Sequence, residues 1–515
     1  MDTSHPFHDS KANAVRPSPL DDVDQPVFHD KKSVVSSTHS VESCEIEPLD
    51  PEIVSWDGPD DPTNPMNFSH ARKLSIVFTV SSLTFSVAVA SSMFSPGVPS
   101  LMKEFNQTSS VLSSLIVSIY VLGFAVGPLF IAPLSEMYGR SILYRISTVI
   151  FAALTLACGE CNSFAAIFVL RFLCGTFGST SFALGSGSVA DVTPVEKRGR
   201  YTSIYNIGPV LGPAVGPVAG AFLSAISWRW VFRVLGILAA CLAIMCFFTL
   251  PETYGPYLLL RKARQLRRET GNDRLRTIYE DRMGTTPRAR FVRNIIRPMK
   301  LLMFSPIVQI LSLFVATTYG MFYLLFTTFT EVFEVQYGWA SNIVGLSYIG
   351  LSLGSLLALT IIIIYSDKIL LVLAERSKSK QCIPEHRLPI LIFLAPTLPV
   401  GLVVYGWGVY CKAHWIVPLV GTFLIGVGVL STFSPTINYL VDAHGIYAAS
   451  AASASIAVRS LGGAFLPLSG PALYRSLGYG WGNTLLGLIV LIWLPVPILL
   501  YMKGAALRAR FNPSL

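Results

Sequence analysis

Twelve apolar runs limit what this chain can fold into. Each is on the order of 20 residues, the length an α-helix needs to cross the hydrocarbon of a bilayer. They lie near 74–95, 111–133, 142–161, 165–189, 202–224 and 230–250, then near 306–329, 342–364, 389–410, 415–439, 447–472 and 483–502. Only 13% of the residues are charged, where about a quarter is usual for a soluble domain. A backbone in lipid must satisfy its own polar groups, and at this run length the solution is a helix. The expected fold class is an all-α membrane protein of twelve transmembrane helices in two six-helix halves. The expected domains are 1–70, a disordered cytoplasmic tail; 71–250, the first half; 251–303, a basic cytoplasmic loop; 304–502, the second half; and 503–515, a cytoplasmic tail.

The first segment is polar and acidic, with 14 Asp and Glu against 4 Lys and Arg over residues 1–61. Such a stretch cannot bury a core. Its last part, Ser55 to Phe68, is crowded with Asp, Asn and Pro, which predicts consecutive turns and a helix starting around Ser69. No signal peptide is read, since the first apolar run begins after residue 72.

Charge sets the orientation. One set of loops carries Arg140; Lys197, Arg198 and Arg200; the cluster from Arg261 to Arg293; Lys368, Arg376, Lys378, Lys380 and Arg387; and Lys503, Arg508 and Arg510. Opposite loops carry scattered bases such as Lys103, Arg229, Lys412 and Arg475. The positive-inside rule makes the first set, and both termini, cytoplasmic. The net charge of +9 is thereby explained by topology, and nucleic acid is not an expected partner. Tyr257–Arg268 can form an amphipathic basic helix at an anionic lipid surface. Asn106-Gln107-Thr108 is a glycosylation sequon in the first outer loop, so Asn106 is the expected glycan site. The sequon Asn67-Phe68-Ser69 falls on the cytoplasmic side and is read as unused.

The eight cysteines are too scattered for a disulfide framework. Cys158 and Cys161 form a CxxC without a βαβ context and are read as packing. The sequence holds no phosphate-cradling Gly-x-x-x-x-Gly-Lys-Ser/Thr loop and no metal-ligand cluster. No enzyme activity, metal or cofactor is expected, and an ATP-driven pump is disfavoured.

In the fifth run, Gly208-Pro209, Gly212-Pro213, Gly216-Pro217 and Gly220 place a glycine at every fourth position. On a helix these stack into one smooth face. Three prolines would break such a helix in water, but a bilayer tolerates them because neighbouring helices satisfy the freed carbonyls. Two readings fit: close helix packing alone, or a gasket between two moving halves. The loop after the second run reads Pro133-Leu134-Ser135-Glu136-Met137-Tyr138-Gly139-Arg140. Glu136 and Arg140, four apart at a helix end, can pair with each other or with a neighbouring helix terminus.

Pro133-Leu134-Ser135-Glu136-x-x-Gly139-Arg140 resembles motif A of the major facilitator superfamily, with Glu136 where many members have Asp. Arg171-Phe172-Leu173-x-Gly175-x-x-Gly178-Ser179 resembles motif B of the fourth helix. Gly208 to Gly220 resembles motif C, the antiporter motif of the fifth. Pro251-Glu252-Thr253 sits where the family often has that tripeptide. Trp56-Asp57…Asn64-Pro65, Pro384 to Pro389, and Asn438 to Ala443 are similar to the fungal members of the twelve-helix drug:proton antiporter branch. The resemblance spans about residues 55–510. The second-half copy of motif A is degenerate, with little beyond Asp367 and Lys368, and gives no ground for a symmetric gate.

The resemblance implies that Arg171, Glu136, Gly139, Arg140 and the glycine–proline strip serve proton coupling and gating. Arg171 lies inside an apolar run, where an arginine is expensive. Arg459 sits similarly in the eleventh run, and its role stays open. No Asp or Glu lies in mid-run; Glu160, Glu331, Glu334 and Asp442 lie at run ends, so no proton-carrying carboxylate stands out. A midplane cavity between the halves is expected, with Tyr120, Tyr205, Asn206, Gln309, Tyr319, Tyr323, Phe326, Tyr348 and Asn438 as its candidate wall. Aromatic walls suit a hydrophobic or amphipathic small molecule. The expected function is proton-driven export of such compounds (drugs, toxins or secondary metabolites) by a plasma-membrane monomer. Export of a polyamine or other organic cation and a non-transporting receptor on the same fold are the alternatives.

Overall fold

The computed structural model describes residues 52–279, 287–340, 343–376, 383–444 and 448–510. Most of the expected N-terminal tail, together with Arg282, Lys378 and Lys380, lies outside these residues. The first half contains His70–Ser92, Ser110–Tyr138, Arg140–Gly159, Phe164–Gly178 continued by Thr180–Val192, Val195–Ile226 and Trp228–Thr249 as spans one to six. The second contains Pro306–Glu331, Ile349–Arg376, Pro389–Leu394 continued by Thr397–Tyr410, Ile416–His444 and Ala448–Phe465 as spans seven to eleven. Gly470–Trp493 and Pro495–Arg510 follow. Eleven stretches among the described residues are long and apolar enough to cross a bilayer, and the last, Ala451–Arg508, runs for 58 residues. That is more than twice one crossing. Gly478, at φ 68°, turns the chain within it, so it makes two passes, the part from 479 to 508 being span twelve, and the fold has twelve.

Local sequence explains most boundaries. Ser69 caps the first span by accepting a hydrogen bond from the Arg72 amide at 3.4 Å. Pro396 divides the ninth span, as a residue without an amide hydrogen does. Pro209, Pro213 and Pro217 all lie inside the fifth helix. The eighth span differs from expectation: it continues as helix to Arg376, so Lys368 and Arg376 stand on a helix and not in a loop. The apolar run ends near 364, but nothing in the following Tyr365–Arg376 breaks a helix. The central linker is likewise largely helical, with Gly255–Thr270 and Pro287–Phe304.

Pairing repeats between the halves. Spans one and five, two and four, and three and six pack together, and so do seven and eleven, eight and ten, and nine and twelve. Across the halves, span two meets span eleven and span five meets span eight. This is the internal repetition of a secondary-transporter fold.

The lead-in segment docks on the linker. Asp61 is buried, and its carboxylate accepts from the Asp57 amide (2.9 Å), the Thr63 amide (2.8 Å) and the Thr63 hydroxyl (2.6 Å). Lys262 of the linker helix bonds Asp57 at 2.6 Å and the Ser55 carbonyl at 3.0 Å. The Thr63 hydroxyl first, then the two amides, hold Asp61 down at about 2, below the ordinary 3.8. Its contribution to docking is therefore present above pH 3.8 and lost as pH falls toward about 2. We expect Asp61→Asn to expose residues 52–68 to protease at neutral pH. Limited proteolysis should find the wild-type segment protected there and released only in strong acid.

Candidate functional site

The glycine strip decides how the first half is assembled. A Cβ placed on Gly208 would overlap the Ser81 carbonyl; on Gly212, Ala88; on Gly216, the Ser92 hydroxyl; and on Gly220, the Met93 carbonyl. All four partners lie on or just past the first span. The Ser81 hydroxyl donates to the Tyr205 carbonyl at 3.1 Å, one of the carbonyls that proline leaves free four residues later. The glycine face is thus a joint inside one half. The face beside it does the other work: Pro209 and Pro213 line a central cavity, and Gly345, just before the eighth span, lies against Pro217, Val218 and Ala221.

That cavity is walled by spans one, two, four, five, seven, eight, ten and eleven, while three, six, nine and twelve contribute none of its described lining residues. Of the expected wall, Asn206, Tyr319 and Tyr323 line it. The other six candidates do not. Tyr120 is buried and donates to the Val87 carbonyl at 3.0 Å. Tyr205 is buried with its hydroxyl toward the Ser181 carbonyl at 3.4 Å. Tyr348 donates to the Phe326 carbonyl at 2.8 Å, with the Phe326 ring packed on its own. Gln309 is exposed and donates to the Met303 carbonyl at 2.9 Å, and Asn438 stands outside the wall. A tyrosine hydroxyl buried in a span seeks the nearest free carbonyl, which draws these rings into helix contacts. Phe124, Phe182, Phe322 and Phe433 complete the aromatic lining, and Arg459 lies beside them.

Arg171 is 2% exposed and bridges spans two and four, its Nε donating to the Ile116 carbonyl at 2.8 Å. Its guanidinium lies 5.1 Å from the Phe94 ring, 5.2 Å from Tyr120 and 5.7 Å from Phe232. Its Nη2 has no hydrogen-bond partner among the described residues. It does not line the cavity.

At the linker end of the bundle, Gly139 adopts φ 90°, and any Cβ there would overlap the Glu252 carboxylate. That carboxylate accepts from the amides of Arg140 (3.0 Å), Ser141 (3.1 Å), Thr253 (3.0 Å) and Tyr254 (2.9 Å). It caps the third span, where unpaired amides and the helix dipole favour an anion. Arg140 donates through Nη2 to Asp191 at 3.2 Å and lies over the Tyr254 ring at 5.2 Å. Glu136 is on the exposed side of the preceding turn. Asp191 escapes a sequence reading because a lone carboxylate at a span end looks like ordinary solvated surface.

The second half carries an equivalent built from other residues. Arg387, before the ninth span, pairs with Asp442 at 3.1 Å and reaches Ser366 at 3.2 Å. Arg508, near the end of the helix Pro495–Arg510, donates to buried Glu385 at 2.8 Å. The degenerate motif copy concealed this. Asn106, the sequon residue, is exposed in a tight turn at the opposite end, at φ 52°.

The family model described as Major Facilitator Superfamily matches residues 80–467. The chain belongs to the major facilitator superfamily. Its similarity extends to the MFS-type transporter penM of Penicillium rubens, 45% identical over 460 residues, covering 89% of this chain and 90% of that one. The efflux pump radE of Floropilus chiversii is 42% identical over 489 residues, covering 94% and 90%. Among solved structures, the xylose transporter XylE of E. coli in a partially occluded inward-open conformation matches with a TM-score of 0.61 at 16% identity. That match covers 84% of this chain and 98% of the other. The superfamily consists of membrane transporters, and the twelve-span fold with its central cavity is that of its members.

Close packing of the strip sets a prediction. We expect Gly212→Val to push span five from span one and cost about 1–3 kcal/mol, as overpacking does. Thermal unfolding of the purified protein should show the loss, and Gly212→Ala should be partly rescued by Ala88→Gly.

Proposed function

We propose that this protein is a proton-coupled antiporter that exports small hydrophobic or amphipathic compounds, secondary metabolites and toxins among them. The observation that carries this reading is the fifth span, whose glycine face locks to span one while Pro209 and Pro213 wall an aromatic cavity shared by both halves. The name of one relative, the efflux pump radE of Floropilus chiversii, supports the outward direction. In this reading Arg171 biases proton coupling, and Glu136, Gly139 and Arg140 with the strip gate the cycle. The wall holds no carboxylate among the described residues, which disfavours the polyamine alternative. The placement of basic residues supports cytoplasmic termini, a plasma-membrane location is the default assignment, and Asn106 is the glycan site in that topology.

The test is accumulation of a panel of labelled hydrophobic compounds and a polyamine. Cells stripped of their own pumps are used, with and without the protein and a protonophore. Lowered accumulation that the protonophore reverses is expected. Raised accumulation would mean import and would overturn the reading. In the same assay we expect Arg171→Ala to abolish transport while surface labelling still finds the protein at the membrane. Normal efflux from that variant would remove Arg171 from the mechanism.

A further inference from the structure

Arg459 is the one charged side chain among the described residues lining the cavity. It is 4% exposed, and its guanidinium lies against two rings, 4.2 Å from the centroid of Phe433 and 4.5 Å from that of Tyr319. Its Nε has no hydrogen-bond partner among the described residues. No carboxylate lies among the described residues of the cavity wall. Arg171 is a useful contrast: it is equally buried, but it is tied to a backbone carbonyl and turned away from the cavity.

A guanidinium in the middle of a membrane protein needs a counter-charge or a full set of acceptors. Ring faces compensate only part of its lost hydration. What they do supply is position, since two rings against the guanidinium restrict the plane of the fork, and its Nε is left without a partner among the described residues. A planar fork of donors matches a planar pair of oxygens. Ser352, Ser355 and Ser434 lie in the same wall. Ser352 and Ser355 donate to carbonyls of their own helix at 2.8 and 2.9 Å, which leaves their oxygens as acceptors only.

We propose that the cargo carries an acidic group, a carboxylate or the enolate of an acidic enol, that pairs with Arg459. Its apolar body lies among Phe124, Phe182 and Phe322. This deepens the export reading by naming the class of cargo, and it rests on that reading only for the direction of movement.

The test uses the purified full-length protein in nanodiscs. Binding is measured for a panel of alkyl and aryl carboxylates, each beside its methyl ester and the amine of the same skeleton. Acids are expected to bind at least about tenfold more tightly than esters or amines, the factor a charge-assisted bidentate bond gives. That preference should vanish in Arg459→Gln and survive in part in Arg459→Lys, which keeps the charge without the fork. Acids bound no better than esters, no acid bound at all, or an undiminished preference in Arg459→Gln would each overturn the proposal. The acid-to-ester ratio of the wild type needs no variant, so it stands even where Arg459→Gln does not fold. Binding is blind to direction. Acid-selective binding with no protonophore-sensitive export would therefore refute the export reading alone, and export of esters and acids alike would refute this one alone.

Discussion

Inside a membrane span no water is available to a polar group, so each must find its partner within the chain. This single constraint accounts for most side-chain contacts in the structure. Thr84, Thr155 and Ser188 return their hydroxyls to carbonyls of the preceding turn, at 2.8, 2.6 and 3.0 Å. Tyr120 and Tyr348 reach carbonyls of other helices, and Arg171 bonds one across a helix interface. Once these are accounted for, Arg459 is conspicuous because rings lie against it and its Nε has no hydrogen-bond partner among the described residues.

The same constraint explains the glycine–proline alternation. Each proline strips a hydrogen bond from the carbonyl four residues earlier, and the glycines let span one come close enough for the Ser81 hydroxyl to supply one. A helix of this kind has two unlike faces, one seamless and one stiff and uneven. The fold uses the first for a joint and the second for a wall.

How much of this was legible depends on whether a residue's partner is local. The spans were readable because run length and bilayer thickness are one measurement. The strip was readable because four-residue spacing is a property of a single helix. Its partner was not, and span one carries small residues at Ser81, Ala88 and Ser92 that signal a joint only beside span five. The cavity wall was least legible. Spans seven and ten are apolar on every side, so periodicity does not say which face looks inward. Tyr319 and Tyr323 line the cavity while Phe326, one turn on, is core. The second charge cluster was hidden for another reason: Arg387 and Asp442 are 55 residues apart and lie in no repeat of the first-half motif.

The ion pairs have a bearing on motion. Arg140–Asp191, Arg229–Glu104 and Arg233–Glu160 join elements of the first half, and Arg387–Asp442 and Arg508–Glu385 those of the second. Contacts that cross between the halves at the end away from the linker are of another kind. The Ser95 hydroxyl meets the Phe326 carbonyl and Tyr348, Arg475 meets the Ser110 hydroxyl, and Gly345 rests on Pro217. Bonds like those of Ser95 have a net worth of about 1 kcal/mol each. In a transporter that works by rocking one half against the other, these ion pairs would stay closed through every cycle, because each joins elements of a single half. What opens and shuts would be these hydrogen bonds together with the packing of span two on span eleven and span five on span eight, and none of the ion pairs named above would have to break.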